Sequence, residues 1–253
     1  MNSESIQHLL EINRELHADI VAGWKSYRSG PTDGNFWPVV YFAIKALKTH
    51  ESILLLAQRG LGQDAAILAR SIYEAAINAL WMAKDLENRM QQFKDYEYIS
   101  AMNYRRSVRK WPGSDPDAQR LIEQDFSRDE AEISRKAREA KKKWGLTNKP
   151  NWSGTSFKKM VDELQQGEWY MVYQVLSDLT HSGVGASREY IKQMPGGGVI
   201  IDHGPNFQHS AGALQLAYMS LVGATQVADV MLDLGLEDVL NEGWANLRRF
   251  DSI

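Results

Sequence analysis

The sequence predicts an all-α protein, a multi-helix bundle, and three observations lead to this prediction. Apolar residues recur every three or four positions through nearly every segment of the 253-residue chain, which is the period of an amphipathic helix. Residues that favour helix starts and helix ends separate these segments. Only "MPGGGVIIDHGPN" contains a short extended run, so we expect at most one small β-hairpin, at about residues 198–203.

The predicted helices follow one another along the whole chain. Pro38 suits the first turn of the second helix, Gly60 suits its end, and Asn206 is placed to cap a helix that begins near Phe207. Turn signals, including "WPGSDPD" at 111–117, separate neighbouring helices. The other predicted helices cover about residues 4–28, 64–84, 86–111, 115–144, 156–166, 168–182 and 237–249.

Composition indicates an ordinary soluble protein. The formal net charge is -3 and 43% of the residues are hydrophobic, so the chain can bury one sizeable core, and we expect a single domain over residues 1–253. The absence of cysteine excludes disulfides, thiolate nucleophiles and cysteine metal sites, and it fits a reducing compartment. The first twenty residues lack the apolar run of a secretory signal, so we expect a cytoplasmic location.

One uncharged segment tests the soluble interpretation. "SAGALQLAYMSLVGATQVA", residues 210–228, is long enough to cross a bilayer. It contains polar residues such as Gln215 and Thr225, however, and it lacks flanking basic or aromatic anchors. We therefore predict a buried central helix and no membrane partner.

Charged residues concentrate in residues 86–144, which we predict to be a helical hairpin inserted into the bundle and protruding from it. Its basic clusters "RRSVRK" and "RKAREAKKK" lie toward the C-terminal ends of their helices, where the helix dipole favours cations. Acidic residues are mixed through the same helices. A solvated hairpin is therefore favoured over a nucleic-acid-binding arm, which stays open as an alternative.

The predicted helix at 64–84 carries a polar stripe on an otherwise apolar surface. Arg70, Glu74 and Asn78 are each four residues apart, so they lie on one side of the helix. Charged groups on a mostly buried helix are costly unless they are paired. The stripe therefore indicates either a structural ion pair or a polar site inside the bundle.

The predicted helix at 168–182 has a similar polar face, formed by Gln174, Ser177, Asp178 and His181. Asp178 lies one turn before His181 and could orient its imidazole for proton transfer. Alternatively, His181 simply ends the helix, because cations suit a helix C-terminus and the glycine-containing "SGVG" follows. A chemical role for His181 requires that this polar face contact the stripe of Arg70 and Glu74, whereas a role in ending the helix does not.

Several specific chemistries lack their motifs. The chain has no H-E-x-x-H and no paired E-x-x-H, so no metal site is expected. "PGGGVIID" is not followed by Gly-Lys-Ser/Thr and opens no helix, and no G-x-S-x-G is present. The sequence therefore predicts no metal and no cofactor.

Three segments together resemble a prokaryotic all-helical family that is catalogued only as a domain of unknown function. They are "AIKALKTHESILLLAQRGLGQDAAILARSIYEAAINALW", "NWSGTSFKKMVDEL" and "YMVYQVLSDLTHSG". The resemblance covers roughly residues 40–190, with the charged hairpin as a variable insert, and it implies no activity. The family's motif positions correspond here to Arg70, Ser71, Tyr73, Glu74, Tyr173, Ser177 and His181.

The resemblance also invites comparison with the helical HEPN ribonucleases of toxin and defence systems. Their Arg-x(4–6)-His motif on one helix is absent from this chain. Arg70 and His181, on different helices, would imitate it only loosely.

Three functions remain open. In the favoured one, the chain binds a small anionic or nucleotide-like ligand through Arg70, Tyr73, Glu74, Tyr173, Ser177 and His181. In the second, it is a metal-independent hydrolase or ribonuclease of toxin or defence type, with His181 as acid or base and Asp178, Arg70 and Glu74 as the other catalytic candidates. In the third, it is an interaction scaffold that acts through the charged hairpin. Whether it is an enzyme is undecided at this point, and a homodimer is also left open.

Overall fold

The computed structural model describes residues 3–28, 33–110, 115–149, 151–181, 184, 186–201 and 204–250. Within these residues, helices account for nearly all regular structure, and one two-stranded antiparallel sheet accounts for the rest. The predicted all-α fold is confirmed.

The chain forms two compact units. The first, called the core unit, comprises Met1–Lys84 and Met160–Ile253, and the second, called the hairpin unit, comprises Asp85–Lys159. The core unit contains α1 (Ser3–Ser26), a short 3₁₀ helix (Asp33–Phe36), α2 (Trp37–Gln58), α3 (Gly62–Ala83), α7 (Phe157–Glu163, which starts just before the boundary), α8 (Gly167–Thr180), α9 (Ser187–Tyr190), β1 (Ile191–Gln193), β2 (Val199–Ile201), α10 (Ser210–Leu232) and α11 (Glu237–Phe250). The hairpin unit contains α4 (Leu86–Arg109), α5 (Pro116–Ser127) and α6 (Glu130–Trp144).

Helix α10 lies at the centre of the core unit and packs against α1, α2, α3 and α11. Apolar side chains on opposite sides of α10, among them Leu214 and Leu216, are fully buried. This confirms the predicted buried central helix. Among the described helices, none combines the length and the apolar character that a bilayer crossing requires.

Helix α10 begins at Ser210, three residues later than predicted. The segment before it is held against the start of α3, because the backbone N–H of Asn206 donates to the Gly60 carbonyl at 2.7 Å. A Cβ on Gly62 would lie 1.9 Å from the Gln208 carbonyl oxygen, so only glycine permits this approach. The Asn206 side chain accepts a hydrogen bond from the Gln208 amide at 3.0 Å and therefore stabilises this turn.

The β-hairpin is confirmed as a feature, but it begins earlier than predicted. Strand β1 pairs with β2 in the register Ile191 to Ile201. The sequence indicated only the second strand, because "IKQ" in β1 carries no alternating pattern of its own. Residues 202 and 203, the end of the predicted range, lie outside the described residues.

In the hairpin unit, the helix predicted over 115–144 is divided into α5 and α6. The division is stabilised by Arg105 of α4, which donates to the Phe126 carbonyl at 2.9 Å and to the Asp129 carboxylate at 2.7 Å. Helices α4 and α6 pack around Ile99, Ala137, Ala140 and Leu146. Residues 111–114 of the predicted turn lie outside the described residues. The single domain with an insertion at 86–144 stays a prediction.

Candidate functional site

Helices α3 and α8 pack together in the core unit and bring the two polar faces into contact. Most of α3 is buried, and its alanines (Ala65, Ala66, Ala69, Ala75, Ala76 and Ala79) are small enough to allow close helix packing. Arg70 and Glu74 lie along the edge of the buried face and are only partly covered, with 15% and 36% of their side-chain surface exposed. The sequence pattern thus places one partly buried cation and its counter-ion beside α8.

Arg70 is the centre of the cluster. Its Nη1 donates to His181 Nε2 at 2.9 Å, and its Nη2 donates to the Tyr173 hydroxyl at 3.2 Å. The same Nη2 lies 3.1 Å from Glu74 Oε1. One guanidinium therefore contacts three side chains, one from its own helix and two from α8 and its C-terminal end. We call Arg70, Glu74, Tyr173 and His181 the Arg70 cluster.

Tyr173 bridges Arg70 and Glu74 through two hydrogen bonds. Its hydroxyl oxygen accepts from Arg70 and its proton is donated to Glu74 Oε1 at 3.0 Å. The guanidinium carbon lies 5.1 Å from the centre of the Tyr173 ring, which adds a cation–π contact. Burial raises the pKa of the Tyr173 phenol, and the nearby Arg70 opposes that rise. Tyr173 therefore stays a neutral donor to Glu74.

His181 follows the last residue of α8, and its backbone amide donates to the Ser177 carbonyl at 3.0 Å. A guanidinium has only donors, so Nε2 of His181 must accept, which puts the proton of the neutral imidazole on Nδ1. The imidazole is thus oriented by Arg70. The residue ends the helix through its backbone and contacts Arg70 through its side chain, and its role in proton transfer stays a prediction. Residues 182, 183 and 185 of the predicted glycine stop lie outside the described residues.

Asp178 and Ser177 occupy different places from those expected of site residues. Asp178 is exposed, and in the described part of the chain no hydrogen bond joins it to His181. The Ser177 hydroxyl donates to the Tyr173 main-chain oxygen at 2.8 Å, within its own helix. The orienting role proposed for Asp178 is therefore taken by Arg70, because α8 turns His181 toward α3 and leaves Asp178 facing solvent.

Tyr73 is fully buried beneath the cluster, with its ring centre 5.7 Å from that of Tyr173. Burial raises the pKa of the Tyr73 phenol. Sequence reasoning missed Tyr170, whose ring stacks on Tyr173 with centres 5.6 Å apart and planes 25° from parallel. The signal was present, since Tyr170 lies three residues before Tyr173 on the same helical face.

The cluster lies at the surface, but part of the Arg70 side chain is buried. His181 is exposed, whereas Arg70 Nε is buried and has no hydrogen-bond partner among the described residues. Asn78, the next residue of the stripe, donates from its side-chain amide to the Glu74 carbonyl at 2.6 Å. No group of three or more potential metal ligands occurs among the residues that the structure describes.

A second polar cluster, which sequence reasoning did not identify, lies between α1 and α2. Asn13 Nδ2 donates to the Leu9 carbonyl at 2.8 Å, so its Oδ1 is left to accept from His50 Nε2 at 2.9 Å. The ring of His17 stacks on that of fully buried His50, with centres 5.4 Å apart. Burial and, to a smaller extent, the neighbouring His17 together lower the pKa of His50 to about 3. The spacing of Asn13 and His17 by four residues was the available signal.

The fold and the Arg70 cluster together define an all-helical protein in which two packed helices present an arginine, a glutamate, a tyrosine and a histidine at one surface. The chain belongs to the family described as "Family of unknown function (DUF5677)", which matches residues 36–198. The matched range contains α3 and α8, and therefore every residue of the cluster. The family resemblance inferred from the sequence is confirmed. Comparison with curated proteins and with solved structures gave no match.

Proposed function

We propose that the chain binds a small anionic ligand of phosphate or nucleotide type at the Arg70 cluster. The observation that carries this proposal is the 2.9 Å contact between Arg70 Nη1 and His181 Nε2. It places the Arg70 cation beside an exposed imidazole whose proton is on Nδ1. An anionic oxygen that displaces Nε2 would accept from Arg70 Nη1 and, after rotation of the ring, from His181 Nδ1.

The two sides of the guanidinium differ in a way that suits such a ligand. Its Nη2 is held by Tyr173 and Glu74, which fixes the plane of the group. Its Nη1 faces an imidazole, a neutral acceptor that is exposed and can be displaced. A phosphate oxygen forms a stronger, charge-assisted bond with arginine than a neutral nitrogen does.

The aromatic residues beside the cluster support the nucleotide-like part of the proposal. Tyr170 and Tyr173 form a stack next to Arg70, and Tyr170 is partly exposed. Aromatic side chains next to an arginine accommodate a base near its phosphate. Inorganic phosphate has no base that could contact these two rings.

The second candidate is a metal-independent hydrolase or ribonuclease with His181 as acid or base. The same Arg70–His181 contact favours it, since the arginine could stabilise the charge that develops on a phosphate. Asp178, however, makes no hydrogen bond to His181 within the described residues. Binding is therefore proposed ahead of catalysis. If the chain were only an interaction scaffold, Arg70 and Glu74 would serve as a structural ion pair, and they do lie 3.1 Å apart. A structural pair alone would not need the additional bond from Arg70 to His181.

Isothermal titration with inorganic phosphate, pyrophosphate, AMP, ADP and ATP tests the proposal. We expect at least one probe to bind, with affinity reduced at least about tenfold in Arg70→Met and His181→Ala. The matched control is Arg14→Met, which removes an exposed arginine of α1 and should leave affinity unchanged. Absence of binding by every probe up to millimolar concentration, or equal loss in Arg14→Met, would contradict the proposal.

A turnover assay on the same proteins separates binding from catalysis. If parent protein releases product from the bound nucleotide or from a short RNA, and His181→Ala stops turnover while the probe still binds, the catalytic candidate replaces the binding one.

A further inference from the structure

One face of α2 carries exposed apolar residues in a regular pattern, and we call it the α2 stripe. It consists of Trp37, Tyr41, Ile44, Lys48, Glu51 and Leu55. The intervals alternate between four and three residues, which keeps all six on one side of the helix. Trp37, Tyr41 and Leu55 are 40%, 46% and 56% exposed. Large apolar residues at this spacing form the surface on which helices pair.

The remaining faces of α2 are already used. Val39, Ala43, Ala46 and His50 are buried, and α2 packs against α1, α3 and α10. The N-terminal half of the stripe borders a shallow, open depression of about 400 Å³, whose described lining residues all belong to α2: Trp37, Val40, Tyr41, Ile44, Lys45 and Lys48. The stripe is therefore a partly exposed surface with several apolar residues, on a helix that is otherwise integrated into the core unit.

The stripe carries one positive and one negative charge at its centre, Lys48 and Glu51. Although they are only three residues apart, no ion pair joins them, and neither forms an ion pair elsewhere among the described residues. Two opposite charges that form no ion pair with each other, flanked by apolar residues, make the surface self-complementary, although Glu51 also attracts His17 and opposes the lowering of its pKa. A stripe of one sign would instead favour a partner of the opposite charge.

We propose that the α2 stripe is a homodimer interface in which α2 packs antiparallel against α2 of a second copy. A two-fold axis makes each contact occur twice. The register that sets Lys48 opposite Glu51 of the second copy also sets Ile44 opposite Leu55 of the second copy. Charge matching and the contact of Ile44 with Leu55 therefore select the same register. In this register the paired residues 44–55 span about 17 Å at 1.5 Å per residue, and Tyr41 lies beyond them, opposite Gln58 of the second copy.

Sedimentation equilibrium of the full chain between about 1 and 100 μM tests the proposal. We expect a dimer for the parent protein and at least about 100-fold weaker association for Ile44→Glu, because a carboxylate would be buried in the interface. Val230→Glu, at a 72% exposed position of α10, is the matched control and should leave the dimer intact. Circular dichroism of each variant verifies that the helices are retained.

Charge reversal distinguishes this interface from an unspecific apolar contact. Lys48→Glu and Glu51→Lys should each weaken the dimer about tenfold, because like charges then face each other, and the double variant should restore parent affinity. A parent protein that is monomeric at 100 μM would overturn the proposal, even if the stripe then bound a different protein. A dimer that is insensitive to Ile44→Glu, or a double variant without restoration, would overturn it as well.

Discussion

Helices α3 and α4 have nearly the same length, 22 and 24 residues, but they are stabilised by different interactions. Helix α3, in the core unit, buries side chains along most of its length, including Ile72, Ile77 and Met82. Helix α4, in the hairpin unit, buries only Ile99 among its described residues. The helical backbone is the same in both, so the difference lies in what the side chains contact.

Ion pairs take the place of burial in the hairpin unit. Arg109 is paired with Glu123 and Glu130, with a shortest distance of 2.7 Å in each pair. Those carboxylates raise the pKa of Arg109, and Arg109 in turn lowers the pKa of Glu130. Exposed ion pairs contribute little individually and weaken as salt increases. The hairpin unit should therefore respond to ionic strength, and the core unit to changes in packing.

The comparison also shows how to interpret a charged residue. In the hairpin unit, many charged residues are paired, either within one helix, as Arg135 with Glu139, or between helices, as Arg109 with Glu123, and no single one stands out. In α3, Arg70 lies among apolar residues, and Glu74 of the same helix is only one of its partners. Arg70 is satisfied by Tyr173 and His181 of the α8 end. The less a helix tolerates charge, the more informative each charged residue is.

The largest effect is expected in the buried core. Leu221→Ala in α10, a fully buried position, should lower the free energy of unfolding by about 2–5 kcal/mol, through lost burial and the cavity left behind. Val230→Ala on the same helix, 72% exposed, is the control and should stay within about 0.5 kcal/mol of the parent. Urea unfolding followed by circular dichroism measures both. Equal effects would refute the burial assigned to α10.

Acid should destabilise the core unit through His50. Its pKa in the folded protein is lowered by burial to about 3, so between that pH and about 6.5 the unfolded chain binds the additional proton. Stability is therefore lost as the pH falls, by about 1.4 kcal/mol per pH unit from this residue, or roughly 2 kcal/mol from pH 6.5 to 5. Unfolding at several pH values measures the slope. His50→Gln, which can still donate to Asn13, should flatten it, and an unchanged slope would refute the assignment.

Arg70→Met should have an intermediate effect, about 1–2 kcal/mol. Tyr173 continues to donate to Glu74, and Glu74 is 36% exposed, so water can satisfy the remaining carboxylate oxygen. The reference is Tyr173→Phe, which removes hydrogen bonds to both charged groups but leaves them paired. A loss of 3–5 kcal/mol in Arg70→Met, the cost of stranding a buried charge, would indicate a purely structural ion pair.

The smallest effect is expected for single charges of the hairpin unit. Arg109→Met should raise amide hydrogen exchange in α5 and α6 at low salt, because two carboxylates lose their partner. Its matched control, Arg106→Met, removes an exposed arginine of α4 that forms no ion pair among the described residues. At 1 M NaCl the two variants should become alike. Exchange in the parent should also be faster in α4–α6 than in α3, and the opposite order would refute the comparison.

The sequence by itself determined the helical fold and the residues worth examining. Helical period, turn residues and the uncharged run at 210–228 are local properties, because each depends on side chains within a few positions. The same holds for the polar faces of 64–84 and 168–182, since spacing by four residues places Arg70 and Glu74 on one side without knowledge of any neighbour. That is why Arg70, Glu74 and His181 could be named in advance, whereas Tyr173 was named through the family resemblance.

Only the tertiary structure decided which of these residues meet. The contact between Arg70 and His181 joins positions 111 residues apart, and no local rule encodes the rotation of one helix against another. That rotation left Asp178 in solvent and brought Tyr170 beside the cluster. Tertiary packing also paired Asn13 of α1 with His50 of α2, 37 residues away. The contact of Asn206 with Gly60 likewise accompanies the start of α10 at Ser210. Packing fixes these outcomes, because a buried polar group accepts whichever partner the neighbouring helix presents.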